Sequence, residues 1–374
     1  MHVLAVIALV GWIFGFTSTV LNLLFLPRLR AGGPTRGPLV SVIIPARDEA
    51  RTIESSVRAW LAQLYQDLEI IVVNDRSTDA TGDILNRAAA EDPRLIVVTG
   101  EEPPPGWLGK PWALHQGSQR ARGSLLLFAD ADVIYAPEAV AAAVARIEQE
   151  RAALITLFPY MEMEGFWENV AMPALGVVLF QIMLTFLSNY TKAPWMAMGG
   201  GTGNLVRRAD YDGAGGHEAL KDAVVDDIGL GRLVRRYGGR TVALRADDFV
   251  RIRMYHGGGE IVRGFTKNLF SAFGRSYLIG TTWVLVTFIN NVPPYLFALM
   301  GDRVSMVTVS LITVSRVLLY RSLRYPLAYA LLANPVMALF WCWVCMRSMW
   351  ITGVRRQLAW RGRSYDAARI TTGM

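Results

Sequence analysis

Charge is scarce in this sequence: only 18% of its 374 residues are Asp, Glu, Lys or Arg, whereas an ordinary soluble domain carries about a quarter. With 52% hydrophobic residues beside that low charge, the chain cannot be a disordered, self-repelling polymer. Cysteine is limited to two residues, which excludes a disulfide-stapled secreted scaffold. Both lie in the apolar run Phe340-Trp-Cys-Trp-Val-Cys-Met346, where no second pair and no nearby histidine completes a redox or metal site, so Cys342 and Cys345 read as membrane filler. Lysine is almost absent, which makes Lys110 and Lys267 stand out as places where arginine does not serve.

The net charge of +7 does not point to nucleic acid, because the arginines do not gather on an aromatic-rich domain. They flank apolar stretches instead: Arg28, Arg30 and Arg36; Arg321 and Arg324; Arg355, Arg356, Arg361 and Arg363. That is the pattern of membrane-bordering charge.

Val3 to Leu26 is an uncharged run of about 24 residues, long enough to cross a hydrocarbon core of about 30 Å. No basic region precedes it, no small-x-small cleavage pattern closes it, and Arg28 and Arg30 follow at once. The expectation is a retained anchor over residues 1–30 in an inner membrane, with the chain from residue 30 onward in the cytoplasm. Three further apolar stretches, Thr281 to Met300, Val304 to Tyr320 and Tyr325 to about Ile351, make residues 276–352 a helical membrane domain ahead of a basic tail, 353–374. Three full crossings would put that tail outside, against the positive-inside rule. The sequence therefore marks Thr281 to Met300 as re-entrant, since Asn290-Asn-Val-Pro-Pro294 interrupts it. Another uncharged run, near 170–187, is read as an interfacial helix, because a crossing there would divide the acidic residues described next between two sides of the membrane.

From Leu39 to about Leu157, short apolar runs alternate with amphipathic stretches of ten or more residues, which predicts an α/β fold with a mostly parallel sheet covered by helices on both faces. Ligands of such sheets bind outside the carboxyl ends of the strands. Those ends are acidic here: Pro45-Ala-Arg-Asp-Glu49, Asn74-Asp75-Arg-Ser-Thr-Asp79 and Ala129-Asp-Ala-Asp132. No G-x-G-x-x-G follows the first strand and no G-x-x-x-x-G-K-[ST] occurs, so the dinucleotide and P-loop readings lose their support. Carboxylates at strand ends bind hydroxyls, base edges or a metal. Asp75 to Asp79 also reads as an Asx turn capping the next helix, whereas Asp130 and Asp132, placed on one side of an extended chain, can share a divalent cation.

The ordered set Val40-Ser-Val-Ile-Ile-Pro-Ala-Arg-Asp-Glu-Ala50, Ile71-Val-Val-Asn-Asp-Arg-Ser-Thr-Asp79, Phe128-Ala-Asp-Ala-Asp132, Gly199-Gly-Gly-Thr-Gly-Asn204, Val225-Asp-Asp227 and Gly264-Phe-Thr-Lys-Asn268 resembles the family 2 inverting glycosyltransferases of GT-A fold over residues 38–275. With its membrane segments the chain is most similar to the ceramide glucosyltransferase-like and carotenoid- or hopanoid-associated branch, whose members glycosylate lipids. The resemblance implies that Ala46, Asp48, Glu49 and Asp75 contact the nucleoside, and that Asp130 and Asp132 hold Mg2+ or Mn2+ against the diphosphate. Lys110, in the loop Trp107-Leu-Gly-Lys110, would meet a phosphate or sugar oxygen. Asp227 would be the base that inversion requires, with Asp226 standing where the family has Glu; the two also read as a helix cap favoured by the dipole.

Gly200 and Gly201 let backbone approach the sugar or acceptor, or simply turn the chain. Arg263 would be a cation on the diphosphate or acceptor side, in Glu260-Ile-Val-Arg263-Gly-Phe265, which lacks the Gln/Arg and Trp of the (Gln/Arg)-x-x-Arg-Trp motif and so argues for a single transfer. Trp360 and Arg363, in Leu358-Ala-Trp-Arg-Gly-Arg363, resemble a Trp-basic-Gly-Arg element of lipid-acting members. The expected partners are a nucleotide-sugar, in particular a UDP-hexose, and a lipid hydroxyl. The rivals are a transferase acting on polyprenyl phosphate or polysaccharide, and a catalytically silent membrane scaffold.

Overall fold

The computed structural model describes residues 2–354, 357–360 and 363–366. The chain divides into two compact units, one comprising Pro27–Glu162 and Leu187–Met254, the other comprising residues 2–26, Met163–Phe186 and residues 255–366.

The first unit is the α/β fold expected. Its main sheet contains β1 (Val40–Ala46), β2 (Leu68–Asn74), β3 (Leu95–Thr99), β4 (Leu125–Phe128), β6 (Leu154–Phe158), β8 (Asn204–Arg207) and β9 (Thr241–Arg245), in the order β3-β2-β1-β4-β8-β6-β9. A small second sheet of β5 (Val133–Tyr135), β7 (Tyr160–Met161) and β10 (Val250–Ile252) lies in the order β5-β10-β7. β1 pairs in parallel with both β2 and β4, so Ile43 stands between Ile71 and Phe128 with all three side chains buried. Those strands are continuous apolar runs because helices cover both faces. Full burial of each such side chain contributes about 1.5–3 kcal/mol.

The sequence marks none of β5, β7, β8, β9 and β10, and β8 is the one that bears on the site. β8 follows the Gly199–Asn204 segment and runs antiparallel between β4 and β6, with Phe128 opposite Asn204 and Thr156 opposite the same Asn204. Four residues carry too little periodicity to mark a strand, and the glycines ahead of it looked like a turn alone. At the far edge, Arg28 bridges Arg245 of β9, with Leu29 N–H donating to the Arg245 carbonyl at 2.7 Å. Chain leaving the first apolar helix is thereby stitched into the sheet.

The second unit is helical. Five of its helical stretches are long and apolar enough to cross a membrane: His2–Phe25, Gly165–Ile182, Tyr277–Leu299, Arg303–Ser322 and Asn334–Val354. The interruption anticipated at Asn290–Pro294 is present as a joint between helices Tyr277–Asn291 and Pro293–Leu299, yet Val292 keeps a right-handed backbone (φ −115°, ψ −58°). Asn334–Ser348 runs antiparallel to Tyr277–Asn291, because the Asn334 side chain donates to Asn291 Oδ1 at one end while the Cys345 thiol points at the Gly280 carbonyl at the other. Both cysteines are buried among helices, in line with their reading as filler. The segment 165–182 is helical with a π turn at Val178–Ile182, and it is tied to the first helix by Asn22, whose amide donates to the Phe180 and Met183 carbonyls at 2.9 and 2.7 Å.

Candidate active site

At the carboxyl ends of β1 and β2 the two loops interlock. Asp48, in the left-handed region at φ +52°, accepts from the Thr78 N–H at 2.7 Å, and its own N–H donates to Ser77 Oγ. Asp is among the few residues that adopt this conformation readily. Asp79 makes an Asx turn ahead of its helix, whose N-cap is Ala80, accepting from the Thr81 and Ala50 N–H groups at 2.9 and 3.0 Å. Asp75 is different: it is 3% exposed and lies 3.5 Å from both Arg47 Nη1 and Arg76 Nε, while its N–H donates to the Ala46 carbonyl. Glu49 receives the Thr52 hydroxyl at 3.3 Å, and its N–H donates to Thr81 Oγ1 at 2.8 Å.

Beyond β4 two expectations about local geometry are corrected. Asp130 and Asp132 do not lie on an extended strand, since β4 ends at Phe128 and Ala131-Asp132 form a turn into β5. The Asp130 N–H donates to the Gly201 carbonyl at 2.7 Å, which bends the chain out of the sheet. Nor is Lys110 a loop residue: it is in the first turn of the Gly109–Arg120 helix, where Pro111 fits because the first helical N–H groups have no internal acceptor.

These elements converge. Lys110, Asp130, Gly200, Gly201, Asp226 and Asp227 line one cleft with about 260 Å³ of space between atoms, open to solvent. Lys110 Nζ is 2.7 Å from Asp130 Oδ1 and 3.7 Å from Asp226 Oδ1. Burial opposes the ammonium charge, but Asp130, Asp226 and Asp227 outweigh it and raise the Lys110 pKa. Asp226 is 5% exposed, and burial pushes its carboxyl up to about 7 against the pull of Lys110, with Asp227 and Asp130 adding like charge. Asp132 is likewise pushed up to about 7, first by burial and then by Asp130 and Glu49.

Asp226 and Asp227 begin the Asp226–Arg236 helix, whose N-terminal dipole favours carboxylates there. Asp227 Oδ1 accepts from the Ile228 N–H at 2.7 Å, and among the described residues Oδ2 has no hydrogen-bond partner. The glycines are explained by close approach. A Cβ on Gly199 would overlap the Asp227 carbonyl, and one on Gly201 would overlap the Asp130 carboxylate. Of the remaining expected site residues, Arg263 stands on the Gly258–Ala272 helix of the helical unit. Trp360 and Arg363 are register partners in a hairpin of β11 (Gln357–Trp360) and β12 (Arg363–Asp366), with side chains outside the described ones; Arg355, Arg356 and Arg361 lie outside the described residues.

Two functional-looking residues were not found from sequence. Asn204 accepts from Thr156 Oγ1 at 2.9 Å and donates to the Asp227 carbonyl at 3.1 Å, locking the glycine segment to the carboxylate helix. His217 lines the cleft from a short 3-10 turn, Gly216–Leu220. Asn204 acts through Thr156 and Asp227, distant in sequence, whereas His217 sits close to its partner Tyr211 but in no motif.

Residues 41–213 match the family model "Glycosyl transferase family 2". Over 252 residues the chain is 27% identical to 4,4'-diaponeurosporenoate glycosyltransferase of Staphylococcus haemolyticus, covering 66% of this chain and 64% of that protein. It is 26% identical over 198 residues to beta-monoglucosyldiacylglycerol synthase of Nostoc sp., covering 52% and 40%. The chain thus spans under two thirds of the length of these curated relatives. A mannosyltransferase of Pyrobaculum calidifontis, solved with GDP-Man and Mn2+, superposes with a TM-score of 0.55 over 93% of this chain and 99% of its own at 19% identity, which shows the fold. The strand order and the superposition show a GT-A-like fold, and within residues 41–213 the chain matches the family 2 glycosyltransferase model.

Proposed function

We propose that this chain is a membrane-integral inverting glycosyltransferase that moves one sugar from a nucleotide-sugar, a UDP-hexose in the first instance, to the hydroxyl of a lipid. The observation that carries this reading is the placement of Asp227 in the same cleft as Lys110 and Asp130, with one carboxylate oxygen uncommitted. An acceptor hydroxyl hydrogen-bonded to Asp227 Oδ2 gives up its proton as its oxygen attacks the anomeric carbon from the face opposite the departing nucleotide. Lys110 holds positive charge beside Asp130, where it meets a phosphate or sugar oxygen. Relatives named for a carotenoid acid and a glucosyl diacylglycerol, together with five apolar helices among the described residues, support a lipid acceptor and a membrane location; Arg28 and Arg30 after the first helix favour a cytoplasmic catalytic unit.

A divalent metal fits the residues present. Burial, then Asp130 and Glu49, push the Asp132 carboxyl up, so negative charge is crowded here even with Lys110 bonded to Asp130, and a divalent cation would relieve it. Among the described residues no group of three His, Cys, Asp or Glu could hold an ion unaided, so Mg2+ or Mn2+ here would need substrate phosphates as ligands besides one or two carboxylates. Asp130 and Asp132 would hold it, and when bound it stabilises the charge of the leaving diphosphate.

The test is nucleotide release by nanodisc-held protein across UDP- and GDP-sugars, with lipid extract, Mg2+ or Mn2+, and a chelator control. Metal-dependent release from one donor, increased by lipid, is expected. Absence of both release and nucleotide binding would overturn the reading.

A further inference from the structure

His217 takes no part in the chemistry above, yet its ring is fixed at the wall of the cleft. The residue is 1% exposed and shares the lining with Lys110, Asp226 and Asp227. Its Nδ1 lies 2.8 Å from the Tyr211 hydroxyl, which also accepts the His217 N–H at 3.0 Å and is 3.2 Å from Ser118 Oγ. Phe128 meets the ring edge-on, centroids 4.7 Å apart. Ring orientation is thus set by Tyr211 on one side and Phe128 on another. Among the described residues nothing is hydrogen-bonded to Nε2.

Burial, then the charges of Lys110 and His115, push the His217 pKa down to about 3, so the imidazole is neutral at any working pH. Neutrality decides what the ring can recognise. An anionic phosphate oxygen is served by Lys110 at the same wall, and a neutral imidazole adds no charge to attract it. A hydroxyl suits Nε2 in either tautomer, since a hydroxyl both donates and accepts. Phe128, Leu114 and Leu230 supply apolar surface in the same cleft.

We propose that His217 is a specificity-determining residue: its Nε2 hydrogen-bonds one hydroxyl of the transferred hexose and so selects among sugar epimers. This rests on the nucleotide-sugar reading above. A site built to bond a substrate hydroxyl discriminates against a ligand that misplaces it, because the buried partner is then left unpaired.

The experiment measures binding of UDP alone, of UDP-glucose and UDP-galactose, and of GDP and GDP-mannose, to full-length protein in nanodiscs, for the natural chain, His217→Phe and His217→Gln. His217→Phe keeps the aromatic contact with Phe128 and removes both ring nitrogens; His217→Gln returns an amide to the cleft. The expected result is that His217→Phe binds the bare nucleotide within twofold of the natural chain but loses about tenfold in preference for the favoured sugar, part of which His217→Gln restores. An unchanged sugar preference in His217→Phe, or an equal loss of bare and sugar-bearing nucleotide in both variants, would overturn the proposal. Failure of the natural chain to bind any nucleotide would instead remove the donor reading, and this inference with it.

Discussion

Lys110 Nζ stands 2.7 Å from Asp130 Oδ1 with Asp226 3.7 Å away, so the acidic cleft carries its own fixed cation. Replacing Lys110 by Met is expected to lower nucleotide release at least about 100-fold, because like charges at Asp130, Asp226 and Asp227 would then face the incoming diphosphate uncompensated. Lys110→Arg should not restore it, since the planar guanidinium cannot enter as a compact point charge. Unimpaired release by Lys110→Met would show the lysine to be incidental.

Gly199 and Gly201 offer a paired test of close approach. Gly199→Ala sets a Cβ against the Asp227 carbonyl, a backbone group that cannot swing away, and should cost about 1–3 kcal/mol of stability. Gly201→Ala sets it against the Asp130 side chain, which can rotate off Lys110. Thermal unfolding should therefore drop by several degrees in the first variant and little in the second, while turnover falls in both. Wild-type-like turnover in Gly201→Ala would mean that Asp130 need not hold its observed position.

Stability toward acid should depend on Glu69. This buried carboxylate accepts from Ser41 Oγ at 2.6 Å and from the Arg122 N–H and Nε at 2.7 and 2.8 Å. Burial alone would raise its pKa, but the hydrogen bonds from Ser41 and Arg122 outweigh it and hold the carboxyl below its ordinary value. A folded-state pKa below the unfolded one means that the contribution is present above about pH 4.3 and is lost as the pH falls through the lowered folded value. Glu69→Gln should melt lower than the natural chain at pH 7, and the difference should shrink toward pH 3. A difference that stays constant with pH would contradict the assignment.

Contacts inside the helical unit bear on the membrane topology. Hydrogen bonds from Ser305 hold the Asp302 carboxyl below its ordinary value, with a smaller pull from His2, which places the start of the first helix and the 301–302 turn at one end. If the first helix enters the cytoplasm at residue 26, then 277–299 leaves it and 303–322 returns. The last stretch, 327–354, is then the re-entrant one, with Asn334 at its bend bonded to Arg316 Nε at 2.9 Å. We propose this arrangement in place of a re-entrant 281–300; it also returns the basic tail to the cytoplasm. In a chain whose own cysteines are replaced by Ala, Asp302→Cys should be labelled from the face opposite to the one that labels Arg324→Cys and Val354→Cys. Labelling of Asp302→Cys and Val354→Cys from one face, with Arg324→Cys labelled from the other, would restore a re-entrant 281–300.

Much of this was legible because the relevant signals are local. β1, β2 and β4 announce themselves as buried apolar runs, and the carboxylates at their ends follow immediately in sequence. What was not legible depends on distant partners. β8 exists because β4 and β6 flank it; Lys110 is helical because Pro111 and the following residues make a good first turn; and the Asp130–Asp132 bend follows from the Gly201 carbonyl, 71 residues onward, that captures the Asp130 N–H. His217 matters only through Tyr211 and the cleft, which no spacing rule reveals.

The central claim is that Asp227 removes the acceptor proton. Asp227→Asn keeps the side-chain oxygen that accepts from the Ile228 N–H and removes the basicity, so the direct measurement is nucleotide-sugar binding and sugar transfer by this variant side by side. Binding within about twofold of the natural chain, with transfer reduced by at least about 100-fold, is the expected result, in keeping with the size of general-base effects. Transfer at the natural rate would contradict the claim.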